Sequence, residues 1–296
     1  MKKKLTLALL LVASLGAFAQ QTNEKEKDSA WTTEGNINLL FNQSAFNADW
    51  LGGGTSNMAG NLSVSYGFNY TKNDWTWDNK ILLDYGITKV KNEEFTKKTN
   101  DRLEFNSILG KKAGGNWYYS AFLNFKTQMD KGFTYGTLDD GTEYRVEYTH
   151  LLSPGYLQIG PGALWKKSDN LKVNIAPATS KLVFVDKDFT SYDGYVDGDY
   201  FGVDANSSTR FEFGAALSGY AKFNIMENVS AENILALYSN YLEDPQNVDI
   251  DYTLNVVMKI NKYLTTNFTF QAIYDDNAAR AFQIREVFGL GIGYKF

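Results

Sequence analysis

The single histidine of this chain is the first residue whose type and surroundings could support catalysis. The 296 residues include one His and no Cys, so sites that need two imidazoles or a thiolate are excluded. His150 lies three residues before Ser153. A carboxylate from Glu143 or Glu147 could orient the imidazole as the general base of a lipid-modifying hydrolase. The sequence has no G-x-S-x-G elbow to present such a serine, so we predict no catalytic residue and keep hydrolysis as an alternative.

A second chemical feature is the acidic stretch from Asp193 to Asp199, which reads DGYVDGD. Further carboxylates lie nearby at Asp186, Asp188 and Asp204. Ca²⁺ takes about six to eight oxygen ligands from a flexible chain, and this stretch is rich in them. The spacing differs from that of an EF-hand because the Glu at the twelfth position is lacking. We predict a solvated acidic loop with no metal site and no cofactor, and calcium binding at this loop stays an open alternative.

Residues 1–19 predict a signal peptide. Three lysines precede an apolar run over residues 5–15, and Ala17-Phe18-Ala19 supplies the small-x-small pattern read by signal peptidase. Cleavage between Ala19 and Gln20 would leave Gln20 as the mature N-terminus. Because the apolar run is shorter than the ~20 residues of a spanning helix, we expect export through the Sec pathway rather than an N-terminal anchor.

The rest of the chain alternates between apolar and polar residues, which is typical of strands with two different faces. Over residues 61–70 the even positions are apolar or aromatic and the odd positions are small or polar. The same period of two recurs over residues 248–260 and 264–274. A soluble sandwich also alternates, so this pattern alone does not distinguish a sandwich from a barrel.

The spacing of the strands favours a transmembrane antiparallel β-barrel. We predict about 12 strands, with a range of about 10 to 14, since strand boundaries are the least certain part of such an assignment. The predicted strands are residues 34–43, 61–71, 75–88, 102–112, 116–128, 155–165, 171–178, 208–223, 229–241, 248–260, 263–274 and 284–296. Their connections alternate between long loops and tight turns, as in barrels of the Gram-negative outer membrane. The all-β barrel domain would span residues 34–296, after a short polar segment at residues 20–33.

The C-terminal strand carries a further sign of outer-membrane assembly. One face of the last nine residues is apolar or aromatic, and the other consists of three glycines and Lys295. The apolar face consists of Phe288, Leu290, Ile292, Tyr294 and Phe296. A terminal aromatic residue on such a strand is similar to the signal read by the outer-membrane assembly machinery. An amphipathic strand of this kind can pair edge to edge while its aromatic face meets lipid.

The inward face of the predicted barrel is charged. The predicted lumen residues are Asp78, Lys80, Asp84, Arg102, Glu104, Lys126, Glu212, Lys222, Glu232, Asp251, Lys259 and Arg285. Twelve strands enclose more space than eight, whose interior is just filled by side chains. We therefore predict a passive channel or binding barrel for a small solute or lipid, with a structural or adhesive surface protein as another alternative. The net charge of −5 makes nucleic acid an unsuitable partner.

Short motifs spread along the chain resemble a Bacteroidota family of outer-membrane β-barrels known only as a domain of unknown function. The motifs are Asn42-Gln43-Ser44, Asn47-Ala48-Asp49-Trp50, Gly52-Gly53, Trp75-Thr76-Trp77-Asp78-Asn79, Asp84-Tyr85-Gly86, Lys98-Thr99-Asn100-Asp101, Phe125-Lys126-Thr127-Gln128, Gly132-Phe133, Leu152-Ser153-Pro154 and Ala176-Pro177. Each motif is short, so the resemblance depends on their order along nearly the whole mature chain. It implies the barrel fold and the outer-membrane location, and it implies no catalytic residue.

Overall fold

The computed structural model describes residues 30–46 and 55–296. The predicted signal peptide and its cleavage site at Ala19 and Gln20 lie outside the described residues. The strands are β1 Trp31–Ser44, β2 Asn57–Lys72, β3 Trp75–Val90, β4 Lys97–Gly114, β5 Trp117–Thr127, β6 Gly132–Thr137, β7 Glu143–Thr149, β8 Gly155–Ser168, β9 Leu171–Phe184, β10 Thr209–Met226, β11 Val229–Asn240, β12 Val248–Lys259, β13 Leu264–Asp275 and β14 Ala279–Lys295. One turn of 3-10 helix spans Lys187–Thr190.

Twelve of these strands form one closed antiparallel barrel, which confirms the predicted fold class. Each barrel strand pairs with the next one along the chain, β5 pairs with β8, and β14 returns to pair with β1. The remaining strands, β6 and β7, form a separate two-stranded hairpin within the connection between β5 and β8. Within the described residues, no helix is long and apolar enough to cross a membrane.

The two ends of the barrel differ. At the turn end, the strands are joined by tight connections such as those at residues 73–74, 115–116, 169–170 and 227–228. At the loop end, the connections include residues 128–154 and residues 185–208. The loop of residues 185–208 packs onto β8 and β9 around an apolar cluster. It contacts the other loop through the Tyr200 hydroxyl, which donates to the Tyr148 carbonyl at 2.6 Å. The cluster consists of Val183, Val185, Tyr200 and Val203, with Tyr156, Phe189, Tyr195 and Phe201 packed against them.

Several predicted strand boundaries differ from the observed ones, and for two of them the pairing or the side-chain contacts show the reason. The strand predicted to end at residue 178 continues to Phe184, because Pro177 lies at a register shift after which the ladder with β10 resumes. β4 begins at Lys97, in the segment that we left between the predicted strands of residues 75–88 and 102–112. Lys98 remains compatible with the strand because its Nζ donates to Asp101 Oδ2 at 2.7 Å and to Gln128 Oε1 at 2.9 Å.

Candidate functional site in the lumen

The register of the barrel strands brings charged side chains onto the inner wall. Residues directly opposite each other in an antiparallel ladder point to the same side of the sheet. Lys222 of β10 lies opposite Glu232 of β11, which in turn lies opposite Asn255 of β12. The apolar residues that alternate with these polar residues along each strand point outward. An example is Leu39 of β1, which lies opposite Ile292 of β14. The inner wall is therefore polar along several consecutive strands.

Ion pairs cross the lumen between strands that are far apart around the barrel. Lys80 Nζ of β3 lies 3.1 Å from Glu232 Oε1 of β11. β3 and β11 are six positions apart in the ring of twelve strands, so they stand directly opposite each other. Lys126 Nζ of β5 lies 2.7 Å from Asp251 Oδ2 of β12. These contacts narrow the lumen without filling it with apolar side chains.

Neighbouring polar groups hold the crossing side chains in place. The hydroxyl of Tyr220 donates to Glu232 Oε1 at 2.7 Å, and Asn255 Nδ2 donates to Glu232 Oε2 at 3.3 Å. Gln271 Nε2 donates to Asp251 Oδ1 at 3.0 Å. Because each carboxylate has more than one donor, breaking one bond would leave the charge still partly compensated.

A third cluster joins one carboxylate to two lysines near the turn end. Lys166 of β8 and Lys172 of β9 each place Nζ 2.7 Å from a carboxylate oxygen of Asp78 on β3. The Asp78 side chain is almost fully buried, and Lys166 is nearly so. Two cations on one carboxylate leave a net positive charge, which Asp169 reduces by pairing with Lys166 at 2.8 Å.

The sequence located several of these residues and missed others. Among the predicted lumen residues, Lys80 meets Glu232, Lys126 meets Asp251, and Arg102 pairs with Glu104. Asp84, Lys222, Lys259 and Arg285 face the lumen but form no ion pair within the described part of the chain; Arg285 donates to Gln271 Oε1 instead. The sequence missed Lys166, Lys172, Lys181, Arg210 and Asp249. Lys166 and Lys181 lay beyond our predicted strand ends. The register shift at Pro177 moves the inward-facing positions of β9 from even to odd numbers, so unbroken alternation would have placed Lys181 on the outer face.

A cavity of about 800 Å³ runs along the lumen. Its lining includes Asp169 and Asn170 from a connection at the turn end, and Phe201 and Ala278 from connections at the loop end. A second cavity of about 130 Å³ lies beside it, and Lys80 belongs to the lining of both. The larger cavity therefore reaches from one end of the barrel to the other.

Charged residues also gather where the lumen meets the loop end. Lys181 Nζ of β9 lies 2.9 Å from Asp249 Oδ2 and 3.2 Å from Glu212 Oε2. Arg210 contacts Glu212 and Glu243, and it donates to the carbonyl of Gly202 in the loop of residues 185–208 at 2.9 Å. This group, which we call the mouth cluster, ties that loop to the barrel wall.

The structure does not bring His150 and Ser153 together as a catalytic pair. His150 Nδ1 lies 2.9 Å from Glu147 Oε1, and its Nε2 lies 3.2 Å from Asp186 Oδ2. Both ring nitrogens are therefore engaged with carboxylates. Ser153 is fully buried, and its hydroxyl contacts Tyr200 and accepts from the Asp186 backbone N–H. These residues join the two large loops at the loop end.

The acidic stretch from Asp193 to Asp199 does not gather its carboxylates around one point. Asp197 instead accepts a hydrogen bond from the Ala205 backbone N–H at 2.7 Å. Within residues 30–46 and 55–296, the one group of three acidic side chains close enough to share a metal ion is Asp249, Asp275 and Asp276. Spacing along the chain did not reveal this group, because Asp249 lies far from the adjacent pair Asp275-Asp276.

The residues of the predicted C-terminal assembly signal lie at the closing seam. Phe288, Leu290, Ile292 and Tyr294 are exposed on the outer face of β14. Leu290 and Ile292 lie opposite Phe41 and Leu39 of β1. Phe296 follows the last residue of β14 and exchanges two backbone hydrogen bonds with Gly35. Their role in recognition by assembly machinery stays a prediction.

The fold and the polar lumen define the class of protein as a closed antiparallel barrel with a charged interior. Residues 41–133 match the model of a protein family of unknown function, DUF3078, so this part of the chain is similar to that family. The match includes the predicted motifs between Asn42 and Phe133, whereas Leu152-Ser153-Pro154 and Ala176-Pro177 lie beyond it. No curated protein matches the chain.

Several solved barrels are similar in outline. The translocator domain of the autotransporter NalP from Neisseria meningitidis is 10% identical with a TM-score of 0.40, covering 100% of this chain and 98% of its own. An outer membrane channel from Pseudomonas putida F1 is 10% identical with a TM-score of 0.38, covering 93% of this chain and 97% of its own. The outer membrane channel DcaP of Acinetobacter baumannii is 11% identical with a TM-score of 0.31, covering 92% and 99%. We draw nothing about function from likenesses this distant.

Proposed function

We propose that this protein is a passive outer-membrane channel for small polar solutes. The observation that carries the proposal is the cavity of about 800 Å³, whose lining includes residues from connections at both ends of the barrel. Paired charges from opposite strands line it, so a polar solute can exchange its hydration for fixed polar groups along the path. An apolar cargo would meet ion pairs throughout, which makes a polar solute the better match.

The outer surface supports a membrane location. Large apolar side chains are exposed around the barrel wall, among them Phe41, Ile81, Ile159, Ile175 and Phe211. A contiguous apolar exterior of this kind is unusual for a protein in water, and lipid tolerates it only on a sheet that closes without free edges. Exposed aromatic residues near the turn end form one belt at the lipid–water boundary: Trp31, Trp75, Trp77, Trp117 and Tyr119.

The predicted signal peptide and C-terminal face supply the route to that membrane. Export through the Sec pathway with cleavage after Ala19 would deliver the chain to the periplasm. The apolar face that ends in Phe296 would then be presented to the assembly machinery. The orientation follows from the loops: in outer-membrane barrels the tight turns face the periplasm and the long loops face outward.

The two mouths of the proposed channel carry opposite charge. Lys222, Lys259 and Lys295 lie near the turn-end termini of β10, β12 and β14, on the inward-facing side of those strands. Asp249 and Asp275 lie at the loop end of β12 and β13. Oppositely charged mouths separate ions by sign, so the conductance should depend on the polarity of the voltage.

The test is ion conductance of the purified mature protein in planar bilayers. We expect discrete conductance steps in the wild type and larger steps in the double variant Lys80→Ala/Glu232→Ala, because that ion pair crosses the lumen. The control is Lys131→Ala, which removes an exposed ion pair with Glu147 in the loop of residues 128–154, outside the lumen. A folded barrel that conducts no ions would overturn the channel, and the structural or adhesive alternative would then remain.

A further inference from the structure

Three carboxylates meet at the loop end of the barrel because of how two neighbouring strands pair. Ile250 of β12 lies opposite Tyr274 of β13 in the antiparallel ladder. The residue before Ile250 is Asp249, and the residues after Tyr274 are Asp275 and Asp276. The start of one strand and the end of the other therefore place these acidic residues side by side, although they are far apart in sequence.

The geometry of the three carboxylates suits a shared cation. One potential ligand atom from each of Asp249, Asp275 and Asp276 lies within 4.8 Å of the others. Each carboxylate uses only one oxygen in its hydrogen bonds. Asp249 Oδ2 accepts from Lys181 Nζ, Asp275 Oδ1 accepts from the backbone N–H groups of Asn277 and Ala278, and Asp276 Oδ2 accepts from Asn247 Nδ2. These bonds orient the carboxyl groups and leave one oxygen on each for another partner.

The charges around the three carboxylates do not balance. The carboxylates of this region are Asp249, Asp275, Asp276, Glu212 and Glu243, and the cations paired with them are Lys181 and Arg210. Five negative charges against two positive charges leave an excess of three negative charges. Like charges held this close repel one another unless a counterion lies between them.

A buried hydroxyl without a partner gives an independent sign of a missing ligand. Tyr238 is only 4% exposed, and its hydroxyl has no hydrogen-bond partner among the residues that the structure describes. Tyr238 lies directly opposite Asp249 in the ladder of β11 and β12, and both line the same cavity as Asp275. Native structures rarely leave such atoms unsatisfied unless a water or an ion serves them.

We propose that Asp249, Asp275 and Asp276 bind a calcium ion at the outer mouth of the barrel. The three carboxylates would supply oxygens from one side, water would complete the coordination, and the Tyr238 hydroxyl would bond to a coordinated water. Ca²⁺ fits better than Mg²⁺ because it accepts irregular shells of oxygen ligands, whereas Mg²⁺ requires near-octahedral geometry. The ion would join the start of β12 to the connection between β13 and β14, and so stabilise the mouth.

Calorimetric titration of the full mature protein in detergent with CaCl₂, after treatment with EDTA, tests the site. We expect saturable binding of one ion by the wild type. In Asp276→Asn the affinity should fall roughly tenfold or more, since removing a charged ligand weakens Ca²⁺ sites strongly. The asparagine still offers an oxygen to Asn247, so the loop contact is retained.

The matched control is Asp193→Asn/Asp197→Asn in the other acidic loop, which should bind calcium like the wild type. Absence of saturable binding in the wild type overturns the proposal even if a variant fails to fold. Undiminished binding by Asp276→Asn, or binding lost in the control, also overturns it. Conductance measured in EDTA keeps the two proposals separate, because a channel that conducts without binding calcium would contradict only the metal site.

Discussion

The ring of Phe296 lies over Gly35, where β14 and β1 pair and close the barrel. The Gly35 N–H donates to the Phe296 carbonyl at 2.7 Å, and the Phe296 N–H donates to the Gly35 carbonyl at 3.0 Å. The ring also stacks near Tyr66 and Tyr294, with centroid separations of 6.3 and 6.0 Å. A Cβ atom on Gly35 would overlap the ring, so the last residue fits only because a glycine lies beneath it.

A side chain at Gly35 should therefore impair closure. We expect Gly35→Val to destabilise the barrel by about 1–3 kcal/mol, the usual cost of overpacking, and to lower the folded fraction seen as a heat-modifiable band on gels. Gly60→Val is the control, because the nearest atom to a Cβ there is the Leu40 carbonyl oxygen at 4.0 Å. Equal folded fractions of the two variants would contradict the role assigned to Gly35.

Removal of the lumen carboxylate of Asp78 should strongly destabilise the barrel. In Asp78→Ala, Lys166 and Lys172 would lose their shared partner inside the barrel. Breaking a buried ion pair typically costs about 3–5 kcal/mol because the remaining charge is uncompensated. Urea unfolding in detergent or vesicles measures the loss. Lys131→Ala is the comparison, because Lys131 is 60% exposed and an exposed pair is worth about 1 kcal/mol or less. A similar small loss in both variants would count against this prediction.

The docking of the two large loops should weaken in strong alkali. Burial raises the pKa of Tyr200 to about 12, and its hydroxyl donates to the Tyr148 carbonyl at 2.6 Å. Because the folded pKa exceeds the ordinary value of 10.0, the neutral hydroxyl favours docking. The stabilisation of loop docking by the neutral Tyr200 hydroxyl is complete below pH 10 and is lost as the pH rises towards 12.

Tyrosinate absorbance and proteolysis of residues 185–208 measure this transition. The absorbance titration of Tyr200→Phe should lack a late-titrating tyrosine that is present in the wild type. Tyr195→Phe is the control, since that hydroxyl bonds within its own loop, to the Val203 carbonyl. If Tyr200→Phe and the wild type titrate identically, Tyr200 is not the group that couples loop docking to pH.

His150 should act as a link between loops and not as a catalytic base. We expect His150→Ala to leave lipid turnover at the level of the wild type, because neither ring nitrogen contacts Ser153. The same variant should raise the protease sensitivity of residues 185–208, since it removes the contact to Asp186. A specific loss of lipid hydrolysis, with the loops still protected, would revive the hydrolase alternative.

The strand content and the closed form of the sheet could be predicted from the amino-acid sequence alone. Alternation depends only on the side-chain period of a strand, and the alternate loop lengths depend only on chain order. Both can be read locally, which is why twelve strands and most of their positions were predicted. The local signal failed at Pro177, where the strand continues through an irregularity that alternation alone does not reveal.

The partners of the charged side chains became known only from the three-dimensional structure. Lys80 and Glu232 are 152 residues apart, and their contact depends on the register of every strand between them. The same holds for Asp78 with its two lysines. The contact among Asp249, Asp275 and Asp276 depends on the register of one hairpin alone, formed by β12 and β13. Pairing across a lumen is a consequence of closure and strand stagger, and neither quantity is encoded in the spacing of charges along a single strand.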